Sequence, residues 1–235
     1  MAASAKGRAQ SKEREKAEHR WPPAIAIFVA LVLYVLLPSS FTPGIRFVVV
    51  GLCAAMLLPL VVLNPHHFTR ETRWSRRLGV ATVTLLLLGN QVALGELVFQ
   101  LVTERADGPG LLLAAAQVWV TNVIAFALVY WELDRGGPVA RRLLPRDEVR
   151  NADFRFPQDE DHDAIDEVRK GSSAASDWMP GYVDYLYFSA SDSMAFSPTD
   201  AMPLTQRAKL LMVYEAFAGF VILALVIARA VSLLG

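Results

Sequence analysis

The sequence has little of what marks soluble and secreted proteins. Charged residues make up 20% of its 235 residues and apolar types 54%, whereas an average soluble domain carries about 25% charge. A single cysteine, Cys53, cannot form a disulfide within the chain. Basic and acidic residues balance at 23 each, so no excess of one sign points to nucleic acid. These deficits exclude a cytosolic enzyme, a nucleic-acid-binding protein and a disulfide-linked secreted domain.

Long apolar runs are the main positive feature of the sequence. A bilayer core of about 30 Å needs about 20 apolar residues, and they must be helical because lipid offers unpaired backbone groups no partner. We therefore predict an all-α fold, a polytopic membrane helix bundle in contact with the lipid bilayer. The five predicted transmembrane helices are residues 24–40, 44–64, 79–102, 110–131 and 208–234.

The first predicted span follows a polar, basic stretch, which raises the question of a cleaved signal peptide. No small-residue cleavage site follows at a suitable distance, so a retained anchor is favoured. The predicted organisation has four parts. These are a disordered basic tail (1–20), with a short amphipathic surface helix as the alternative, a four-helix transmembrane region (21–133), a cytoplasmic basic and acidic loop (134–179), and a final region with the last span (180–235).

Basic residues are concentrated in segments that alternating spans place on one side. Six lie in the tail, four in the 65–78 loop and five in residues 135–150, whereas the opposite loops offer only Arg46 and Arg105. This bias predicts a multi-pass protein of the inner (plasma) membrane with a cytoplasmic N-terminus. It also predicts contacts with anionic lipid head groups near Arg70–Arg77 and Arg135–Arg150.

Acidic residues in the 134–179 loop have part of the pattern of a metal site. Asp159, Asp161 and Asp163 alternate as in a calcium loop, but Ala164 and Lys170 replace the turn glycine and the bidentate glutamate that such a loop needs. We therefore expect a solvated linker, with no metal and no cofactor. Phosphate-loop, Rossmann and zinc-hydrolase patterns are also missing, so an enzyme is not expected.

Residues 180–206 are half apolar and half polar. The stretch is too short and too hydroxyl-rich for a lipid-facing span, Asp184 can cap a short helix, and Pro198 ends helical structure. A short helix, a loop and then a full span are typical of a re-entrant segment, which survives at membrane depth only when protein or water shelters it. In the alternative, residues 181–197 cross the membrane, which gives six crossings and a cytoplasmic C-terminus.

This segment resembles the pore module of the potassium channel superfamily. The family pattern is D-x-L-Y-F-S, the filter T-V-G-Y-G-D, then x-x-P-x-T and an inner helix that opens with E-A-x-x-G. The resemblance spans residues 183–229 and implies a pore helix, a filter loop and an inner helix. Glu215 would brace the back of the loop, and Gly219 would serve as a hinge or packing position. The matching residues are Asp184, Leu186, Tyr187, Phe188, Ser189, Asp200, Pro203, Thr205, Glu215, Ala216 and Gly219.

The chain departs from the pattern at the filter itself. Ala195–Thr199 stands in place of T-V-G-Y-G, so the glycines that let successive carbonyls face a dehydrated ion are absent, and Pro198 fixes its own φ. The layout is also similar to an uncharacterised family of bacterial integral membrane proteins that carry a filterless version. Potassium channels enter their filter loop from outside the cell, whereas the arginine bias here predicts entry from the cytoplasm, as in glutamate-receptor pores.

The function expected from these observations is a channel-like homo-oligomer without potassium selectivity, with a non-selective or weakly selective ion pathway. A non-conducting structural or accessory membrane protein and a small transporter are the alternatives. The candidate pathway residues are Ser189, Asp192, Ser193, Ser197, Thr199 and Asp200.

Polar side chains inside the spans are further candidates, because a buried Asp costs about 2.5–3.5 kcal/mol on membrane insertion. Glu96 is expected to bond to Gln117 or Asn122 as a structural contact between the third and fourth spans. A proton or cation relay and an interface-level carboxylate are the alternatives for Glu96. The same reasoning gives Glu215 either the bracing role or a plain interhelical hydrogen bond.

Overall fold

The computed structural model describes residues 18–38, 43–63, 72–103, 108–160, 165–195 and 201–234, and the statements that follow concern these residues. The predicted all-α class is confirmed, with one two-residue strand pair added. The long helices are α1 (Trp21–Val35), α2 (Pro43–Leu63), α3 (Arg73–Thr103), α4 (Gly108–Leu133) and α9 (Gln206–Leu234). The shorter elements are α5 (Pro138–Leu143), β1 (Phe154–Arg155), α6 (Asp166–Arg169), α7 (Ser173–Ser176), α8 (Tyr182–Ala195) and β2 (Met202–Pro203), with 3-10 turns at Asp134–Gly136 and Pro157–Asp159.

Three of the described helices are long and apolar enough to cross a membrane. They are α3, α4 and α9, and they coincide with the predicted spans 79–102, 110–131 and 208–234. Shorter apolar helices cover Trp21–Val35, which overlaps the first predicted span, and Arg46–Leu60, which lies within the second. The chain is therefore a membrane protein with at least these three candidate spans.

Helix α4 is the centre of the bundle. Every residue from Thr121 to Glu132 is buried, and the helix packs against α1, α3, α8 and α9. Small side chains along α4, such as Ala114 and Ala125, are fully buried and let neighbouring helices approach closely. On α3, Gly89 serves the same purpose, because a Cβ there would lie 2.9 Å from a methyl group of Val49 on α2.

Contacts at the helix ends show that consecutive long helices alternate in direction. Arg20, just before α1, donates to the carbonyl of Leu60 near the end of α2 at 2.7 Å. Arg76, at the start of α3, donates to the carbonyl of Glu132 at the end of α4 at 3.3 Å. The ends of α2 and α4 and the starts of α1 and α3 therefore lie together, and we call this face of the bundle the basic end.

Part of the described segment between α4 and α8 packs onto the basic end. Phe154 and Phe156 are buried, and β1 pairs antiparallel with β2 in the register Phe154↔Pro203. Two arginines of the range predicted to meet lipid head groups, Arg135 and Arg141, are 6% and 1% exposed.

Candidate functional site

Helix α8 lies against α4 and runs antiparallel to it. Near its start, Tyr182 shares the carboxylate of Glu18 with Trp131, which stands near the end of α4. Further along, the Ser189 hydroxyl approaches the carbonyl of Val123 at 2.9 Å. The last of these contacts is the hydrogen bond that Trp119 Nε1 donates to Ser193 Oγ at 3.0 Å. Residue numbers thus rise along α8 while those of the contacting residues on α4 fall, as expected for antiparallel helices.

Two carboxylates hold the start of α8 at the basic end. The first N–H groups of a helix lack partners within the helix, and its positive dipole end favours anions. Asp184 Oδ2 accepts from the Gly181 N–H at 2.7 Å, and Glu18 Oε1 accepts from the Tyr182 N–H at 2.6 Å. The predicted capping role of Asp184 is therefore observed, whereas Glu18 was placed in the disordered tail by sequence alone.

Helix α9 begins at the same end as α8 and runs beside it in the same direction. Arg207, in the first turn of α9, donates to the carbonyl of Leu133 at the end of α4. Twelve residues later, Gly219 lies directly on α8, because a Cβ at this position would be 2.5 Å from the backbone oxygen of Ser193. Glycine is needed here for close approach of two backbones.

Ala201, six residues after the end of α8, lies near the start of that helix. It lines a small cavity together with Asp184, Tyr187 and Phe188, all in the first half of that helix. Ala195, the last residue of α8, lies seven residues beyond Phe188, which corresponds to about 10 Å along the helix axis. The chain therefore enters α8 and begins α9 at the same end of the bundle.

Glu215 joins the three helices α4, α8 and α9. Its side chain is fully buried, Oε2 accepts from the Tyr130 hydroxyl at 2.6 Å, and Oε1 contacts the Ser189 hydroxyl. Ser189 has one hydroxyl proton but faces two oxygens, those of Val123 and Glu215. All these contacts are hydrogen bonds at once only if Glu215 itself carries a proton, which it donates to Ser189.

The other candidate pathway residues divide into two groups. Asp192 and Ser193 are 3% and 6% exposed, and they face the neighbouring helices of the same chain. Asp192 Oδ2 has no hydrogen-bond partner among the described residues. Ser197, Thr199 and Asp200 lie outside the described residues.

A layer of aromatic rings separates the Glu215 cluster from the basic end. The ring centroids of Tyr130 and Phe154 are 5.0 Å apart, and Phe188 lies 5.0 Å from Phe154 and 5.4 Å from Tyr130. Edge-to-face and tilted contacts of this kind stabilise by about 0.5–1.5 kcal/mol beyond area burial. The layer fixes α8 between α4 and β1.

A network of buried ions closes the basic end. Asp134 accepts from the Tyr185 hydroxyl and from the Asp153 N–H, and Asp153 pairs with Arg207 at 2.5 Å. Asp159, expected to be a solvated acid, instead pairs with Arg135 at 2.6 Å. These groups connect the loop to the first turns of α8 and α9.

Arg141 is the largest fully buried side chain in this network. It pairs with Glu18 at 3.3 Å, donates to the carbonyl of Trp131 at 2.6 Å and lies over the ring of Tyr185. Burial acts to lower the pKa of Arg141, but the surrounding Tyr185, Glu18 and Asp134 together raise it above its ordinary value. The guanidinium therefore stays charged inside the fold.

Amide side chains form a second polar network between α3 and α4. Asn122 Oδ1 accepts from Asn90 at 2.7 Å and from Gln91 at 3.2 Å, and Thr121 donates to Asn90 at 2.7 Å. Asn90 and Gln91 were not among the residues singled out from the sequence. They are polar residues within an apolar run, and this is the signal that could have identified them.

Gln117 and Glu96 are the other two polar candidates. Gln117 is buried, and its Oε1 has no hydrogen-bond partner among the described atoms, while Glu96 is half-buried.

Within the described ranges, no group of three or more histidine, cysteine, aspartate or glutamate residues could hold a metal ion. Comparisons with protein-family models, curated proteins and solved structures found no match to this chain.

Proposed function

We propose that the chain crosses the membrane five times with a cytoplasmic N-terminus, and that α4, α8 and α9 form a pore-loop module. In this reading α4 is the outer helix, α8 the re-entrant pore helix and α9 the inner helix. The proposal rests on the observation that α8 and α9 start at the same end of the bundle. Ala201, which precedes α9, accordingly lies beside the first half of α8. The arginines at that end support a cytoplasmic position.

The proposed module acts in a homo-oligomer, in which several copies of the chain surround a shared axis. Ser189, Asp192 and Ser193 are buried within one chain. In the proposal they support the loop from behind, and the pathway rests on Ser197, Thr199 and Asp200. Without filter glycines the pathway is weakly selective or non-selective among small cations.

Cation flux through liposomes containing the purified protein tests this function. Asp200→Ala should change the cation leak several-fold, because it removes one carboxylate per chain from the proposed pathway. Asp166→Ala is the matched control, since Asp166 is exposed in the loop and bonded to Arg169. A protein that is tight to small ions, with both variants behaving alike, would contradict the proposal.

A non-conducting structural or accessory role is the second candidate, and the outer face of α9 favours it. Leu210, Val213, Phe217 and Phe220 are all exposed and apolar, as is typical of a helix that faces lipid or a partner helix. In this role the buried contacts of α8 would serve only to hold the fold. The same flux measurement separates the two candidates.

A further inference from the structure

A groove runs along the outer face of α3, starting at the basic end and extending into the apolar part of the helix. It is an open surface depression of about 660 Å³. All its described lining residues lie on one helical face, at spacings of three and four. They are Arg73, Arg76, Arg77, Val80, Ala81, Thr84, Leu85 and Leu88.

The first turn of the groove is basic, and none of its described lining residues is acidic. Arg73 and Arg77 are exposed and lie one turn apart on the same face. Arg76 is more buried and donates to the carbonyl of Glu132, which fixes it against the end of α4. Guanidinium groups bind phosphate oxygens in paired, planar geometry, so this turn is complementary to a phosphate group.

The rest of the groove is apolar except for one hydroxyl. From Val80 to Leu88 it extends for about 12 Å along the helix axis. Leu88 is 59% exposed at the far end, on the part of α3 that is apolar enough to cross a membrane. A ligand that fits therefore has an anionic head and a long apolar tail.

We propose that this groove binds one anionic phospholipid, with its phosphate on Arg73 and Arg77 and one acyl chain along Val80 to Leu88. This goes beyond a general attraction of basic loops to anionic membranes, because the polar and apolar contacts belong to one continuous surface. The binding does not depend on whether the chain conducts ions.

Native mass spectrometry of the detergent-solubilised protein tests this site, with phosphatidylglycerol and phosphatidylcholine as the two probes. Phosphatidylglycerol should be retained in preference to phosphatidylcholine. The double variant Arg73→Gln/Arg77→Gln should weaken phosphatidylglycerol binding by about 30-fold, since each basic side chain near an anionic lipid contributes about fivefold. The control Arg169→Gln/Lys170→Gln removes the same charge from exposed loop positions and should leave binding unchanged.

The apolar half of the site has its own test. Ala81→Trp fills the groove without changing charge and should weaken binding of phosphatidylglycerol. Equal retention of both lipids, or full binding by the Arg73/Arg77 double variant, would overturn the proposal. Binding of inorganic phosphate in place of phosphatidylglycerol, together with no effect of Ala81→Trp, would overturn the lipid assignment in favour of a simple phosphate site.

Discussion

Replacing Glu215 tests whether this buried carboxyl group is protonated. The described contacts are all satisfied when Glu215 donates to Ser189 and accepts from Tyr130. Glutamine has nearly the same shape and can do both, with its amide N–H replacing the carboxyl proton. Glu215→Gln should therefore change the free energy of unfolding by less than about 1 kcal/mol, within the range of ordinary hydrogen-bond rearrangements.

Glu215→Leu is the matched perturbation, because it keeps the volume and removes both polar contacts. Ser189 retains the Val123 carbonyl, but the buried Tyr130 hydroxyl loses its partner. Leaving one buried hydroxyl unpaired costs about 1–3 kcal/mol. Equilibrium unfolding in mixed detergent micelles, followed by tryptophan fluorescence, should show this loss for Glu215→Leu.

The two variants together decide the protonation question. If Glu215→Gln destabilises the protein as strongly as Glu215→Leu, the reasoning from hydrogen-bond counting is refuted. The cluster would then require an ionised carboxylate, which glutamine cannot supply.

Two further predictions concern packing and the buried ions. Gly219→Ala should destabilise by about 1–3 kcal/mol in the same unfolding assay, because the added methyl meets the backbone of α8; Gly95→Ala, which has open space around it, should be neutral or stabilising. Equal effects of the two would contradict the proposed backbone contact. Glu18→Ala should lower stability by about 3–5 kcal/mol, since it leaves the buried Arg141 without its carboxylate. The control Asp166→Ala, at an exposed pair, should cost less than about 1 kcal/mol, and a similar loss in both would show that the Glu18 contact is unimportant.

The sequence predicted the long helices better than the buried polar contacts. Runs of about 20 apolar residues identify spans from composition alone, and three of the five coincide with α3, α4 and α9. Such runs are local patterns that a single sequence carries. The roles suggested for Glu215 and Gly219 came instead from the resemblance to a pore module, and the structure places both residues against α8.

Contacts between distant segments could not be predicted in this way. Glu18 and Arg141 are 123 residues apart, and each lies in a stretch whose composition is typical of solvated chain. Burial of such charges depends on a partner that only the tertiary fold supplies. Asp153 was missed for the same reason, because it lies in a loop and its partner Arg207 is 54 residues away in α9.

The most direct test of the account is to determine from which side of the membrane α8 and α9 start. Cys53, the single cysteine, is fully buried. In a Cys53→Ala background, the exposed positions chosen for single cysteines are Val183, in the first turn of α8, and Leu204, between α8 and α9. A third single cysteine at Ile165 marks the loop that is proposed to be cytoplasmic. A membrane-impermeant maleimide should label all three from the cytoplasmic face of oriented vesicles. Labelling of Val183→Cys and Leu204→Cys from opposite faces would contradict the account, because α8 would then cross the membrane.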